Sequence, residues 1–329
     1  LDENSSRYVD NIAMDRIVNL KLSCVRHSPY KSYFRIEDKP FENFNEISHS
    51  LPKVKKKVIN GFEHWLFESA AETPYKENNN ADIICHPVQA PIGNIVFVHG
   101  LYEDNPLMYQ YLISMINKQN LNVFFMTLPY HYSRKPGSSA FSGEYFWSAD
   151  IPRCQSALKQ SVFDLCQTIN LVEESTGLPT FVVAFSMGGG IALKLVSIFN
   201  ELKGIFLINS VSTLTKLTWE SPLLRTIKSE LLGYDYSFEQ VEKSLTPFEP
   251  FSDRKKAEFG KKVILGYGLY DQVVKKQDYS YLIERLNPYC VYEYNAGHLN
   301  ILRVPKLAND IVNTFNGIVF QKQPNDIIL

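Results

Sequence analysis

Short runs dominated by apolar side chains recur along this chain, separated by stretches with helical periodicity. Residues 94–98, 122–128, 180–185, 204–209, 262–266 and 290–294 read as strands. The most continuous of them have the pattern of a strand buried on both faces. Residues 106–119, 150–176, 187–201, 275–286 and 304–315 read as helices, the second interrupted near its start by Pro152. Upstream, 58–67 alternates loosely and is expected to pair antiparallel with 82–87 through a loop tip at Asn78-Asn79-Asn80. Strands alternating with helices predict an α/β fold: a mostly parallel central sheet with helices on both faces. No internal repeat of 20–50 residues interrupts the pattern.

Two segments fall outside this rhythm. The interval 211–260 is helical and proline-punctuated, too long for a plain connection. It is expected to be a helical cap insertion over one end of the sheet, with apolar positions at 223/224, 227 and 231/232 at helical spacing. Residues 1–57 form an N-terminal extension without an assigned role, preceding the main domain at 58–329. Within it, 16–25 reads as a short helix or strand. The run Lys53, Lys55, Lys56 and Lys57 reads as a solvated loop entering a strand, with an acidic ligand as the alternative.

Composition narrows the function classes. The chain has 329 residues, 45% hydrophobic and 21% charged, which supplies a sizeable core. Lys+Arg is 34 and Asp+Glu is 35, for a net charge of −1, which argues against a nucleic-acid partner. No apolar run approaches the roughly 20 residues of a transmembrane helix. Residues 1–10 carry charges and no apolar stretch of the signal-peptide kind. The cysteines Cys24, Cys85, Cys154, Cys166 and Cys290 are odd in number, far apart and without a CxxC. They are expected to be reduced and mostly buried, which fits the cytoplasm. With no HExxH and no paired His/Asp cluster, neither metal nor cofactor is expected. Oligomeric state is not legible.

The sharpest local feature is Phe185-Ser186-Met187-Gly188, where an apolar strand ends at a serine and a helix begins at once. Such a turn exposes the hydroxyl and needs small neighbours two residues away, here Ala184 and Gly188. The alternative is an ordinary helix N-cap serine. The stretch resembles the nucleophile elbow of the α/β-hydrolase superfamily, with Ala in place of the first glycine of G-x-S-x-G. The resemblance runs from about residue 58 to 317 and implies that fold, with chain order serine, acid, histidine. His298 is the only histidine after Ser186, in Asn295-Ala296-Gly297-His298, between a predicted last strand and a last helix. Asp271 follows the strand at 262–266 and precedes His298 by one helix and one strand; Asp253 and Asp278 are alternatives that follow no strand. The implied roles are nucleophile for Ser186, general base for His298 and orienting carboxylate for Asp271.

Val98-His99-Gly100-Leu101-Tyr102 ends the first buried strand, and in the superfamily this loop donates one oxyanion-hole N–H. The implied donors are the backbones of Leu101, or Tyr102, and Met187, with His99 orienting the loop. Loops after strand ends surround the crevice of an open α/β sheet. This makes Tyr102, Tyr130, His131 and Arg134 candidates for the pocket wall, with Trp219 from the insertion. For Arg134 a structural ion pair is an equal alternative. The pattern Pro129-Tyr130 to Arg134-Lys135-Pro136 also resembles the family-18 type of α/β-hydrolase domain. The expected function is a serine hydrolase of the carboxylesterase or lipase kind, cleaving an ester, thioester or lipid-like acyl bond. The partner is a small-molecule or lipid-like acyl substrate. An acyltransferase using the same acyl-serine, or a non-catalytic binding module on the scaffold, are the alternatives.

Overall fold

The computed structural model describes residues 2–23, 34–199, 201–251 and 263–319. The chain opens with helices α1 (Glu3–Ser23) and α2 (Phe44–Ser48). Strands β1 (Lys55–Ile59), β2 (Phe62–Glu68) and β3 (Asn80–His86) follow, then β4 (Gly93–Val98). Next come α3 (Gln110–Asn117), β5 (Leu121–Thr127), α4 (Ile151–Thr176), β6 (Thr180–Phe185), α5 (Met187–Ile198) and β7 (Ile205–Ile208). The excursion that follows holds α6 (Leu214–Glu220), α7 (Arg225–Gly233) and α8 (Phe238–Leu245). The chain returns through β8 (Val263–Gly268), α9 (Lys276–Leu286), β9 (Cys290–Tyr294) and α10 (Pro305–Val319).

These strands form one nine-stranded sheet in the order β1-β2-β3-β5-β4-β6-β7-β8-β9. The first three pair antiparallel, as does β3 with β5, and every later pairing is parallel. Strands β4 to β8 are buried along their whole length because both faces carry helices, whereas β9 at the sheet edge is mostly half-buried. Alternate residues feed two separate cores: Val96, Val98, Val182 and Ala184 pack on the α4–α5 side, and Ile95, Phe97, Phe181 and Val183 on the α3–α10 side. Both sets must therefore be apolar, which is why these strands read as continuous runs. The chain runs from β4 outward to β5 and then returns to place β6 on β4's other side. At that reversal a crevice opens beyond the strand ends.

Four features differ from the sequence reading. The strand expected at 58–67 is two strands, β1 and β2, folded at Asn60-Gly61, where both residues have positive φ (51° and 84°). Asn-Gly is the dipeptide such a two-residue hairpin favours. Lys55, Lys56 and Lys57 consequently lie on an exposed edge strand, where lysines discourage pairing with other chains. Asn78 is not at a loop tip but fully buried: its side chain accepts from the Tyr130 N–H (2.8 Å) and donates to Gln160 (2.8 Å). Helix α5 ends at Ile198, and α1 spans 21 residues where only a short element was expected. Among the described residues, Cys85, Cys154 and Cys166 are buried free thiols and Cys290 is partly buried. Cys24 and Asp253 lie outside them. No described helix is long and apolar enough to cross a membrane, and no described cluster of His, Cys, Asp and Glu would hold a metal ion.

Candidate active site

Ser186 is the single residue between β6 and α5, with φ 54° and ψ −118°. Such a conformation is costly for a non-glycine residue and persists only where its surroundings over-determine it. They do so here: the Ser186 N–H donates to the Ile208 carbonyl (2.9 Å), and its carbonyl accepts from Gly189 (3.0 Å) and Val211 (3.1 Å). A Cβ on Gly188 would sit 2.5 Å from the His99 carbonyl oxygen and 2.6 Å from that of Val98. This close passage of α5 over the end of β4 excludes any side chain at position 188. Ala184, two residues before the serine, is accommodated with no exposure.

His298 lies in the loop after β9, with Nε2 2.9 Å from Ser186 Oγ. Its Nδ1 is 2.7 Å from Asp271 Oδ2, in the loop after β8. A carboxylate can only accept, so Nδ1 carries the proton and a neutral ring presents Nε2 as acceptor to the serine hydroxyl. Asp271 is held by the Val273 and Val274 N–H groups on Oδ1 (2.7 and 2.9 Å) and the Tyr279 hydroxyl on Oδ2 (2.6 Å). Burial pulls the His298 pKa down, but the Asp271 charge and hydrogen bond, with Asp10 and Glu103 behind them, outweigh it and hold His298 above its ordinary value. Asn209, at the end of β7, ties the two loops together: its Oδ1 accepts from Gly268 (2.8 Å) and its Nδ2 donates to the Gly297 and His298 carbonyls (3.2 and 3.0 Å).

The loop after β4 is built by buried polar groups. His99 Nδ1 donates to the Gly100 carbonyl (2.7 Å) and Nε2 accepts from Leu128 (3.0 Å). Glu103 accepts from Gly100 (3.1 Å), from the Tyr132 hydroxyl (2.8 Å) and from the Tyr109 hydroxyl. Burial dominates these bonds and lifts its carboxyl to about 7. The Tyr102 N–H donates to His131 Nε2 (3.2 Å). Of the two N–H groups considered in this loop, that leaves the one of Leu101. Met187 is the first residue of α5, so its N–H has no acceptor within the helix.

A cavity of about 360 Å³ opens at Ser186 and His298, at the small end of the range for small-molecule pockets. Its apolar wall includes Leu101, Tyr102, Met108, Phe185, Val273 and Leu299, with Met14 and Ile17 from α1 and Leu223 from the excursion. Of the expected pocket residues only Tyr102 lines it. Tyr130 is fully buried beneath Tyr75 and Tyr145. His131 is buried, donates from Nδ1 to the Pro129 carbonyl (2.8 Å), and is pushed down to about 3 by burial, so it stays neutral and serves the Tyr102 backbone. Arg134 is an internal tether: it pairs with the fully buried Asp164 (2.8 Å) and donates to the Thr127 and Asn78 carbonyls (3.0 and 2.9 Å). Trp219 is half-buried, edge-on to Phe238 and under Lys228. Sequence reasoning missed Asp10, Glu103 and Asn209, none of which stands in a motif. Glu103 alone had a signal, an acidic residue two positions after the His99-Gly100-Leu101 loop.

No family model matches the chain, and no curated protein matches it in sequence. Solved structures do match in shape. An acetyl xylan esterase from Paenibacillus sp. R4 superposes with a TM-score of 0.63 at 13% identity, covering 92% of this chain and 99% of that one. Acetyl xylan esterase 1 from Thermoanaerobacterium sp. JW/SL YS485 follows at 0.54 and 14%, covering 83% and 94%. The fold is the α/β-hydrolase fold. A soluble variant of monoglyceride lipase from Saccharomyces cerevisiae, solved with a substrate analogue, is also similar at 0.50 and 14%, covering 82% and 95%. At these identities the likeness concerns architecture alone.

Proposed function

We propose that this protein is a serine hydrolase that cleaves an ester, thioester or lipid-like acyl bond by way of an acyl-Ser186 intermediate. The observation that carries the reading is the continuous hydrogen-bond chain from Ser186 Oγ through both His298 nitrogens to Asp271, at the floor of an open cavity. A serine hydroxyl is a poor nucleophile at neutral pH and needs a base within hydrogen-bond reach. In this reading Ser186 Oγ attacks the substrate carbonyl and its proton passes to His298 Nε2. Asp271 keeps the Nδ1 proton in place and stabilises the imidazolium. The Leu101 and Met187 N–H groups receive the oxyanion. His298 then returns the proton to the departing alcohol or thiol, leaving acyl-Ser186. Water, deprotonated by His298, releases the acid and restores the hydroxyl. The predominantly apolar wall suits an acyl or aromatic group. The fold match includes an acetyl esterase and a monoglyceride lipase, which supports acyl chemistry by analogy of scaffold. The stretch from Pro129 to Pro136, which resembles the family-18 type, adds no substrate of its own.

Turnover of a series of 4-nitrophenyl acyl esters by the wild type and by Ser186→Ala tests the proposal. Hydrolysis by the wild type that falls by about a thousandfold or more in Ser186→Ala is expected. Equal turnover by the two proteins would refute it. Product transfer to an added alcohol in preference to water would instead identify an acyltransferase.

A further inference from the structure

We infer that the N-terminal helix α1 is a working part of this site and that Asp10 is its positioning residue, clamping the two loops that carry Asp271 and His298. Three backbone N–H groups from those loops converge on one side chain. Asp10 Oδ2 accepts from His298 (2.7 Å) and Gln272 (3.2 Å), and Oδ1 accepts from Leu299 (3.1 Å). His298 and Leu299 follow β9 whereas Gln272 follows β8, so a single carboxylate bridges both loops. A second contact one turn earlier repeats the arrangement: Ser6 Oγ accepts from Asn300 Nδ2 (3.0 Å), while Asn300 Oδ1 accepts from Gly297 (2.7 Å).

The loop is shaped to receive the helix. A Cβ on Gly297 would stand 2.6 Å from Asp10 Oδ2 and 3.0 Å from the Ser6 carbonyl oxygen, so the residue before His298 must lack a side chain for α1 to seat. Ser6 and Asp10 are fully buried although both are polar and lie in the first half of an N-terminal helix. Further along the same face, Ala13, Met14 and Ile17 line the cavity beside Ser186, and Arg16 pairs with Asp104 at its rim. One face of α1 thus fixes the loops and then walls the cavity.

The consequence is geometric. The Ser186–His298 and His298–Asp271 contacts depend on two loops on adjacent strand ends keeping their separation, and displacement of reacting groups by about 1 Å can cost about a hundredfold in rate. The Asp10 carboxylate also adds a negative charge beside His298. The titratable groups facing His298 are Asp271, Asp10 and Glu103, all of which raise its pKa. Those facing Asp10 are His298, which lowers its pKa, and Asp271, which raises it, within a burial that dominates and raises it.

The kinetic part of the inference rests on the serine-hydrolase reading, so its test uses two readouts that do not. In the full chain, Asp10→Asn and Asp10→Ala are compared with Arg7→Ala, on the exposed face of α1. Amide exchange at Gln272, His298 and Leu299, the His298 titration by NMR, and the rate of Ser186 labelling by a fluorophosphonate are measured. Asp10→Asn is expected to exchange faster at those three amides, to titrate His298 at a lower pH than wild type, and to label about tenfold or more slowly. Arg7→Ala is expected to match the wild type. A folded Asp10→Asn with wild-type exchange and an unmoved His298 titration would overturn the inference. If Asp10→Ala does not fold, the near-isosteric Asp10→Asn carries the comparison. If the wild type does not label, the hydrolase reading fails, while exchange and titration still decide the role of Asp10.

Discussion

Replacing Arg134 by Met separates a structural role from a role in the pocket. Arg134 and Asp164 are buried at 1% and 0% exposure and meet at 2.8 Å. Removing the guanidinium leaves Asp164 with the Ser69 hydroxyl (2.6 Å) as its remaining polar contact. Breaking a buried pair on one side costs about 3–5 kcal/mol, because it strands a charge that water cannot reach. Against a typical stability of about 5–15 kcal/mol this is a large fraction. The Asn78 carbonyl keeps its bond from Gln160 Nε2 (3.0 Å), so the loss is dominated by the stranded carboxylate. Urea unfolding followed by tryptophan fluorescence reads the loss as a lower midpoint at unchanged slope. The double variant Arg134→Met/Asp164→Leu removes both charges and is expected to recover most of it. The sign with pH is also set. Burial already holds the Asp164 carboxyl above its ordinary value, and Arg134 restrains that rise. Without Arg134 the native state takes up the proton more readily than the unfolded chain does. The deficit therefore shrinks as pH falls and grows as pH rises through the raised Asp164 titration. Ester turnover per folded molecule stays at the wild-type level. A loss below about 1 kcal/mol, or lost turnover at an unchanged midpoint, would refute this account of Arg134.

Three further outcomes follow from the geometry. Gly188→Ala drives a Cβ into the His99 and Val98 carbonyls; the expected cost is about 1–3 kcal/mol of stability together with loss of Ser186 labelling, and a variant that labels at the wild-type rate would contradict the close passage described. Because His298 must be neutral to act as base and is held above its ordinary value, the acidic limb of kcat/KM is expected above about pH 6.5, activity falling as pH drops through it; a limb below that value would contradict the balance of charges around the ring. Met14→Ala and Ile17→Ala enlarge the cavity on its α1 side, so the turnover ratio of octanoyl to acetyl esters should rise in both, and an unchanged ratio would remove α1 from the substrate wall.

The parallel half of the sheet was legible because burial on both faces forces apolar residues along the middle of β4, β5, β6 and β8, with the polar Asn94, Asn122, Thr127 and Thr180 confined to the strand ends. The tight turn at Ser186 was legible because close backbone passage restricts residue size at 184 and 188. The α1 helix was not, since its buried face runs Ser6, Asp10, Met14, Ile17 and Val18. The spacing is helical, but its first two members are polar, buried only because the His298 loop supplies their hydrogen-bond partners. Asp10 lies 288 residues from His298, and nothing local marks such a contact. Arg134 was ambiguous for a related reason: its position in a loop after a strand end suits a pocket, and only the approach of Asp164 from α4 decides otherwise. The β1–β2 hairpin carried a local signal in Asn60-Gly61 that loose alternation over 58–67 concealed.

The central claim is that Ser186 is an activated nucleophile, and the most direct measurement is covalent labelling. The folded chain is treated with a fluorophosphonate probe and the adduct is located by peptide mass spectrometry. The account predicts a single adduct on Ser186, abolished in Ser186→Ala and strongly slowed in His298→Ala. A wild-type protein that remains unlabelled, or an adduct that survives in Ser186→Ala, would contradict it.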